Sequence, residues 1–512
     1  MKSKENHGLS RVSDTALELK NDIGLDVTVF ANEEVPVEAA AVEELQSLLG
    51  LQDTMDRFHA SDPEAFAKSP RIEKISLTPD FHKARGIPVG TILETSGCVV
   101  PQAIGNDINC GMRMHTTSLS ADQVKSQLDA METECRRIFF EGGRRIPTEH
   151  DHREALLLNG IGGLFDSVKD DYQEGLWSYF HRTQRDETLS RIDRQGSLAA
   201  NSIQKLDDFV GQIGKTHRDS QIGSIGGGNH FVEIQEVKRI IDGTIAHAWG
   251  IKPGMVTVMV HTGSVSIGHA AGSFYRDQVR AIYPKDTQHP DNGIFVLPLT
   301  ESYEEAASLF WDAMHNAANF AYANRMFLAL MAWSSLESVC GETEFNLLYD
   351  APHNMVWPSE RDGRPTVIHR KGACPSRGFE AMAGTPFEYF GEPVLVPGSM
   401  GASSYVLAGK GFAGTSESAA HGAGRALSRG SSMKRYETEF DEFLQRFRIV
   451  TPVDFRRQEI RLRRDIVDKK LADLRQEAPF AYKGIGPIIE TIEEAGIAKP
   501  VVELTPIMTV KG

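Results

Sequence analysis

Three patterns predict a chain of the mixed helix-and-strand class. Short apolar runs bounded by turn residues read as strands, a charged and helix-forming section spans 120–220, and residues 302–341 read as one long helix or two abutting ones. At 512 residues, 40% hydrophobic and 24% charged, the chain can bury a large core and is not broadly disordered. As a soft prior, such a length suggests about 2–4 domains.

Residues 1–70 read as a ragged start, a strand at Asp26-Val-Thr-Val-Phe30 and a helix over 37–51. Between 120 and 220, Gly142-Gly143 and Gly160-Ile-Gly-Gly163 are breaks, and no chemical motif is recognisable. In 302–341, Ser302-x-x-Glu305 offers a capping box, and Phe310, Met314, Ala317, Ala321, Leu328 and Met331 fall near one face. His315, beside Asn316 and Asn319, reads as a structural histidine.

The predicted strands are Met255-Val-Thr-Val-Met-Val260, Phe345-Asn-Leu-Leu-Tyr349, Thr366-Val-Ile368, Pro393-Val-Leu-Val396 and Tyr405-Val-Leu-Ala408. Three of them run into polar residues: His261 after the first, Asp350 and His353 after the second, His369 after the third. A rigid strand that delivers an imidazole or carboxylate into a loop is a good mount for a site.

Charge and composition narrow the function. Lys plus Arg is 55 and Asp plus Glu is 70, a net −15 that argues against indiscriminate polyanion binding. Any nucleic-acid contact needs a local basic patch. Residues 425–470 offer one, with 13 Lys/Arg against 8 Asp/Glu, and Phe455-Arg-Arg-Gln-Glu-Ile-Arg-Leu-Arg-Arg464 reads as a basic helix suited to an RNA or DNA backbone. The first ten residues lack the apolar core of a signal peptide, and apolar runs such as Phe327-Leu-Ala-Leu-Met-Ala-Trp333 fall short of the ~20 residues that span a bilayer. The five cysteines (Cys98, Cys110, Cys135, Cys340 and Cys374) show no CxxC spacing and read as reduced thiols. A cytoplasmic protein without membrane contact is expected.

Two groups of residues carry chemistry. In Gly105-Asn-Asp-Ile-Asn-Cys-Gly111, Asp107 and Cys110 are three residues apart, so a turn aims both at one point. In Gly223-Ser-Ile-Gly-Gly-Gly-Asn-His-Phe-Val-Glu233, the glycines permit close approach of a ligand, and Asn229, His230 and Glu233 can coordinate or hydrogen-bond. The loop lacks the Lys-Ser/Thr of a P-loop and the spacing of a dinucleotide fingerprint. With His261 and His353, these residues (Asp107, Cys110 and His230) supply ligands for one or two divalent ions that accept sulfur, nitrogen and oxygen: Mn²⁺, Zn²⁺ or Co²⁺. The second group is Gly398-Ser-Met-Gly401, Ser403-Ser404 and His421-Gly-Ala-Gly-Arg425. A helix begun near Gly424 would put Arg425 and Arg429 on one face as a phosphate cradle, beside a histidine able to attack phosphorus.

Taken in order, these motifs resemble the RtcB-type RNA-splicing ligases. The matching stretches are Pro79-Asp-Phe-His-Lys-Ala-Arg-Gly-Ile-Pro-Val-Gly90, the Asp107–Cys110 segment, Gly226-Gly-Gly-Asn-His-Phe-Val-Glu233, His261-Thr-Gly-Ser264, His353-Asn354, His369-Arg-Lys-Gly-Ala373, Gly398–Gly401, His421–Arg425 and Met508-Thr-Val-Lys-Gly512. The resemblance implies a single α+β body over 71–512 with mixed sheets and surrounding helices, not a Rossmann fold. It implies a divergent segment over 1–70, a helical, charged insertion around 120–220 and a basic helical stretch around 432–475.

The implied activity is a GTP- and Mn²⁺-dependent ligase that joins RNA 2′,3′-cyclic phosphate or 3′-phosphate ends to 5′-hydroxyl ends, in RNA repair or tRNA splicing. His421 would carry GMP, and Cys110 would bridge two ions held by Asp107, His230, His261 and His353. Asn229, Glu233, His353, Asn354, Ser399, Ser404, Gly422, Gly424, Tyr482 and Lys511 fall where the guanylate is held, and Arg370, Lys371, Arg425 and Arg429 where phosphates or RNA are. The implied partners are such RNA, GTP and, with the need for it left open, an archease-like activator.

Two departures stand out. The loop after His261-Thr-Gly-Ser264 usually begins with an arginine but here reads Val265-Ser-Ile-Gly268, which leaves a phosphate contact missing or supplied by another residue such as Arg85. Cys374 follows His369–Ala373 where the family has threonine. Two competing readings are a metal-dependent RNA end-processing phosphodiesterase that does not seal, and a non-catalytic paralogue that binds RNA ends.

Overall fold

The computed structural model describes residues 8–66, 68–211, 221–433 and 437–512, the side chains of Arg429, Met433 and Glu437 excepted. One sheet has seven strands, in spatial order Leu9–Ser13, Ala16–Leu19, Val27–Phe30, Arg71–Arg85, Ile87–Ser96, Arg364–Lys371 and Asn354–Arg361. Its pairs are antiparallel except Val27–Phe30 on Arg71–Arg85. The N-terminal segment therefore extends this sheet instead of standing apart.

The second sheet has eight strands and carries the residues that matter most. Its order is Phe345–Pro352, Gly111–Ser120, Met255–Thr262, Phe231–Ile240, Ala498–Val510, Ser404–Gly409 and Pro393–Val396, with Arg448–Val450 parallel to Ala498–Val510. Each sheet mixes parallel and antiparallel pairs. The body is α+β and lacks the doubly wound order of a Rossmann fold. Among the described residues, no helix is long and apolar enough to cross a membrane.

The helix Glu304–Cys340 packs on the second sheet and is buried on nearly every side. Its expected apolar face is buried, but so are Tyr322, Ala323, Phe327 and Leu330. The cause is the section 120–220, whose helices Leu128–Phe140 and His150–Ser167 cover the far side. Polar groups on this central helix bind loop backbone: Asn319 donates to the carbonyls of Leu157 and Leu198, and His315 Nδ1 lies 2.8 Å from the Ala199 carbonyl oxygen. His315 is thus structural. The capping box at Ser302 and Glu305 does not form, because Ser302 lies inside a 3-10 turn, Glu301–Tyr303, that precedes the helix.

Several expected boundaries shift. The helix over 37–51 becomes Ala39–Leu49 and Leu51–Ser61, which meet at Gly50. Gly160, at φ +65°, breaks His150–Ser167 internally. The basic run at Phe455–Arg464 is not one helix: only Gln458–Arg461 forms a turn before a separate helix, Arg464–Gln476. Its charges are largely spent locally, with Arg456 on Glu132 (3.0 Å), Arg457 on Asp454 (3.1 Å) and Arg463 on Asp465 (3.1 Å). Arg425 and Arg429 do not share a helix face either. Gly424 at φ +67° and an isolated bridge from Arg425 to Tyr482 keep the chain non-helical until Arg429, whose side chain lies outside those described.

His369 ends a predicted strand, yet it is a core residue. Its Nε2 accepts from the Val100 N–H (2.8 Å), and its Nδ1 faces the Leu93 carbonyl oxygen (3.0 Å). Burial lowers its pKa from 6.5 to about 4, so the imidazole is neutral. The unfolded chain takes up this proton at a higher pH than the folded one. Its contribution to stability is therefore complete above pH 6.5 and is lost as pH falls towards 4. In urea titrations between pH 7 and 4, a His369→Gln variant should lose less stability over that range than the parent; equal slopes would contradict a buried neutral imidazole.

Candidate active site

Strand register assembles the metal-ligand types. Gly111 pairs with Pro352 on one side and Thr262 on the other, and His261 pairs with Phe231. Cys110 precedes Gly111, His353 follows Pro352 and His230 precedes Phe231. Four side chains far apart in sequence thus form a row along one end of four adjacent strands. The turn before Gly111, closed by a hydrogen bond from Cys110 N to the Asp107 carbonyl (3.0 Å), adds Asp107.

The distances are short. Cys110 Sγ lies 3.3 Å from His230 Nε2 and 3.4 Å from His261 Nε2, and the Nε2 atoms of His261 and His353 are 3.3 Å apart. Asp107 Oδ2 is 2.8 Å from His230 Nε2. Two ligand triplets result, Asp107–Cys110–His230 and Cys110–His261–His353, with Cys110 common to both.

This donor set fits a pair of cations. Burial, reinforced by neighbouring imidazoles, holds His261 and His353 well below the usual histidine range, so both are neutral Lewis bases. His353 Nδ1 is buried without a hydrogen-bond partner among the described residues. His230 Nδ1 sits 3.0 Å from the Ile225 carbonyl oxygen, so with that nitrogen as donor Nε2 turns a lone pair towards Asp107. Burial opposes ionisation of Asp107, yet a positive charge at His230 Nε2, with hydrogen bonds from Cys110 and Val265, brings it down to about 2, so this carboxylate is matched to a cation at that nitrogen. A carboxylate facing an unprotonated nitrogen needs a positive centre between them, a proton or a metal ion. The Cys110 thiol is pushed up by burial and by Asp107, and a bound cation would reverse that and release its proton.

The cluster opens into a cleft of about 1320 Å³. His421 lines it, with its ring centroid 4.7 Å from that of His353. His421 Nδ1 lies 2.5 Å from Asp80 Oδ2. Burial would raise the Asp80 carboxyl, but His421 and a hydrogen bond from Thr78 Oγ1 (2.5 Å) hold it below its ordinary value. Asp80 is thus the charge beside Nδ1, and Nε2 is the ring nitrogen it leaves uncovered. Gly424 makes this contact possible, since a Cβ there would come within 2.2 Å of the Asp80 carbonyl oxygen.

The other expected site residues divide by position. Asn229, Asn354, Lys371, Ser399, Gly422, Gly424, Arg425, Tyr482 and Lys511 line the cleft. Glu233 and Ser404 lie behind the wall, where Gln235 Nε2 bridges them at 2.7 and 3.1 Å. Burial raises Glu233 to about 7 and lowers Lys511 to about 8. The Lys371 ammonium, also lowered by burial to about 8, donates to the Ile87 carbonyl (2.6 Å). Arg425 sits over the Tyr482 ring at 5.2 Å, with Glu477 3.4 Å away. Arg370 is not brought into the cleft, because it is buried on Ser418 Oγ (2.7 Å) and the Ser416 carbonyl (3.1 Å). Val265, at φ +49°, presents backbone instead of side chain, and its N–H donates to Asp107 Oδ1 (3.1 Å). Cys374 is buried with Sγ 3.3 Å from the Ala420 carbonyl oxygen.

Sequence reasoning missed Asp80 and the scaffold beneath the ligands. Arg325, in the middle of the central helix, donates to Asp350 Oδ1 (2.9 Å), the Asn109 carbonyl (2.6 Å), Asn109 Oδ1 (2.8 Å) and the Thr262 carbonyl (3.1 Å). Arg113 takes the second Asp350 oxygen at 3.0 Å. Asn324, next to Arg325, holds the N–H groups of Gly223 and Ser224 and the Gly263 carbonyl. A signal for Arg325 was present, because it is the one Lys or Arg between 304 and 340 and a buried guanidinium must find partners.

Comparisons with known proteins identify the family of the chain. A family model described as tRNA-splicing ligase RtcB matches residues 64–512. The chain is 32% identical over 471 residues to the tRNA-splicing ligase RtcB of Thermococcus kodakarensis, covering 87% of this chain and 89% of that protein. Against the protein of the same name from Methanococcus maripaludis it is 31% identical over 464 residues, covering 86% and 89%. Against that of Pyrobaculum aerophilum it is 32% identical over 471 residues, covering 86% and 89%.

Arg325→Leu should lower stability by about 3–5 kcal/mol in urea titrations, because it strips a buried carboxylate of one cation and orphans two carbonyls. A loss under about 1 kcal/mol would show that the network is not a structural keystone.

Proposed function

The chain belongs to the RtcB family of tRNA-splicing ligases, and from that premise we propose that it is a cytoplasmic, GTP-dependent ligase. It joins RNA 3′-phosphate or 2′,3′-cyclic phosphate ends to 5′-hydroxyl ends, in repair or tRNA splicing, with an archease-like protein as candidate activator. The observation that carries the reading is His421, steered by Asp80 and held against a two-triplet ligand cluster in one cleft.

Asp107, Cys110 and His230 would hold one Mn²⁺, and Cys110, His261 and His353 the other. The ions would neutralise phosphate charge and lower the pKa of the attacking hydroxyl. The chain's own groups do the rest. Asp80 accepts the Nδ1 proton of His421 and so leaves the Nε2 lone pair directed outward. That nitrogen forms a bond to the α-phosphorus of GTP as the bond to pyrophosphate breaks. An oxygen of the RNA 3′-phosphate then takes the guanylyl group from Nε2. Attack by the 5′-hydroxyl oxygen on the 3′-phosphorus expels GMP and closes the junction. A cyclic end must first be opened by water.

In this reading Asn229, Asn354, Ser399, Gly422, Gly424, Tyr482 and Lys511 hold the guanylate, with Glu233 and Ser404 behind them, and Lys371 and Arg425 contact phosphates. Glu233 and Ser404 act from behind the wall. Glu233, bonded to Gln235 and Thr509, supports the wall from behind, and the Lys511 ammonium at the cleft favours its ionised form.

Incubation with α-phosphate-labelled GTP and Mn²⁺ should leave an acid-labile label on the protein and none on His421→Ala. An Asp80→Asn variant should label about 10²–10⁴-fold more slowly through loss of tautomer control. Equal labelling of His421→Ala would contradict the assignment, and cleavage of cyclic ends without labelling would favour an end-processing enzyme that does not seal.

A further inference from the structure

The cleft wall is positive where the chain as a whole is acidic. Lys83, Arg85, Arg276, Arg280, Lys371, Arg425 and Lys511 line it, against Glu38, Asp107 and Glu477 as its only acidic side chains among the described residues. Asp107 is held by His230, and Glu477 lies beside Arg425. Four of the cations have no role in the guanylyl-transfer scheme. Lys83 and Arg85 stand at the irregular end of the strand Arg71–Arg85, both exposed and both on the cleft, whereas Arg276 and Arg280 are four apart on the helix Val265–Ile282 and share a face.

None of these four makes an ion pair among the described residues. Lys83, Arg85 and Arg280 are exposed. Arg276 is half-buried, and its guanidinium is held by Asn106 Oδ1 and by Ser273 Oγ (3.2 Å). Asn106 immediately precedes Asp107, so Arg276 is fixed beside the ligand loop with its charge uncompensated. The basic run of 455–464, in contrast, spends much of its charge on nearby carboxylates. Unpaired like charges repel one another, and in a chain of net −15 their gathering on one cleft wall fits a polyanion.

We propose that this wall binds the sugar–phosphate backbone of a single-stranded RNA end, with Arg276, Arg280, Lys83 and Arg85 as its phosphate contacts. The inference rests on the RNA-ligase reading for the identity of the polyanion and extends it to residues that reading leaves without a role. Arg276 is preorganised by Asn106, and the other three stand exposed on the cleft. Backbone contacts of this kind give affinity without base preference and a binding constant that falls with salt.

The test is anisotropy titration of a labelled ~10-nucleotide RNA carrying a 3′-phosphate, at several salt concentrations, with the full-length protein and two double variants, Arg276→Ala/Arg280→Ala and Lys83→Ala/Arg85→Ala. Each variant should bind roughly tenfold more weakly at 0.1 M salt, and the slope of log K against log[salt] should flatten by about 0.7 for each phosphate contact removed. GMP-adduct formation from GTP alone should be unchanged in Arg276→Ala/Arg280→Ala. Affinity and slope equal to the parent in both variants would overturn the proposal, as would loss of adduct with RNA binding intact. Weakened RNA binding in the variants of a parent that forms no adduct would support the binding wall and strike the ligase reading instead.

Discussion

The arrangement of the site depends on one buried ion network, Arg325 with Asp350 and Arg113. All three side chains are at most 1% exposed. Ions so placed are tolerated only when every lone pair and proton has a partner, since the effective desolvation penalty runs to several kcal/mol per ion. Arg325 meets that demand by bonding to three different segments. Asn109 belongs to the loop of Asp107 and Cys110, Thr262 follows His261, and Asp350 lies three residues before His353. One guanidinium therefore fixes the spacing of ligands that come from three strands, and Asn324 extends the same hold to the glycine loop before His230.

Upon this base, the low dielectric does the chemical tuning. It keeps His261 and His353 neutral and ready to donate lone pairs, and it keeps the Cys110 thiol protonated until a cation arrives. The same burial that would make a lone charge costly makes a shared, charge-balanced centre favourable. Asp80 shows the opposite case: its ionised form survives full burial because His421 and Thr78 stabilise it, and in return it lies against the Nδ1 side of the imidazole that the proposed mechanism uses for attack.

Much of the site was legible in the sequence, for a physical reason. Asp107, Cys110, His230, His261 and His353 carry ligand atoms and lie within or just beside strands, so residue type and local pattern both mark them. What brings them together is strand order and register, which no local spacing encodes. Asp80 was invisible because it sits within a strand between Pro79 and Phe81, and its partner is 341 positions away in sequence, at His421. His369 was misjudged because a strand-end imidazole looks the same whether it faces a cleft or caps Val100 in the core. The basic run after Arg425 misled for a related reason: a charge count does not register the carboxylates of Glu132 and Asp454 that fold back on it.

The central claim is that Cys110 is the common ligand of two cations. Crystals grown with Mn²⁺ and measured at the manganese absorption edge test it most directly. The account predicts two anomalous peaks that share Cys110 Sγ, one beside Asp107 and His230 and the other beside His261 and His353. A single peak, or peaks remote from that sulfur, would contradict it.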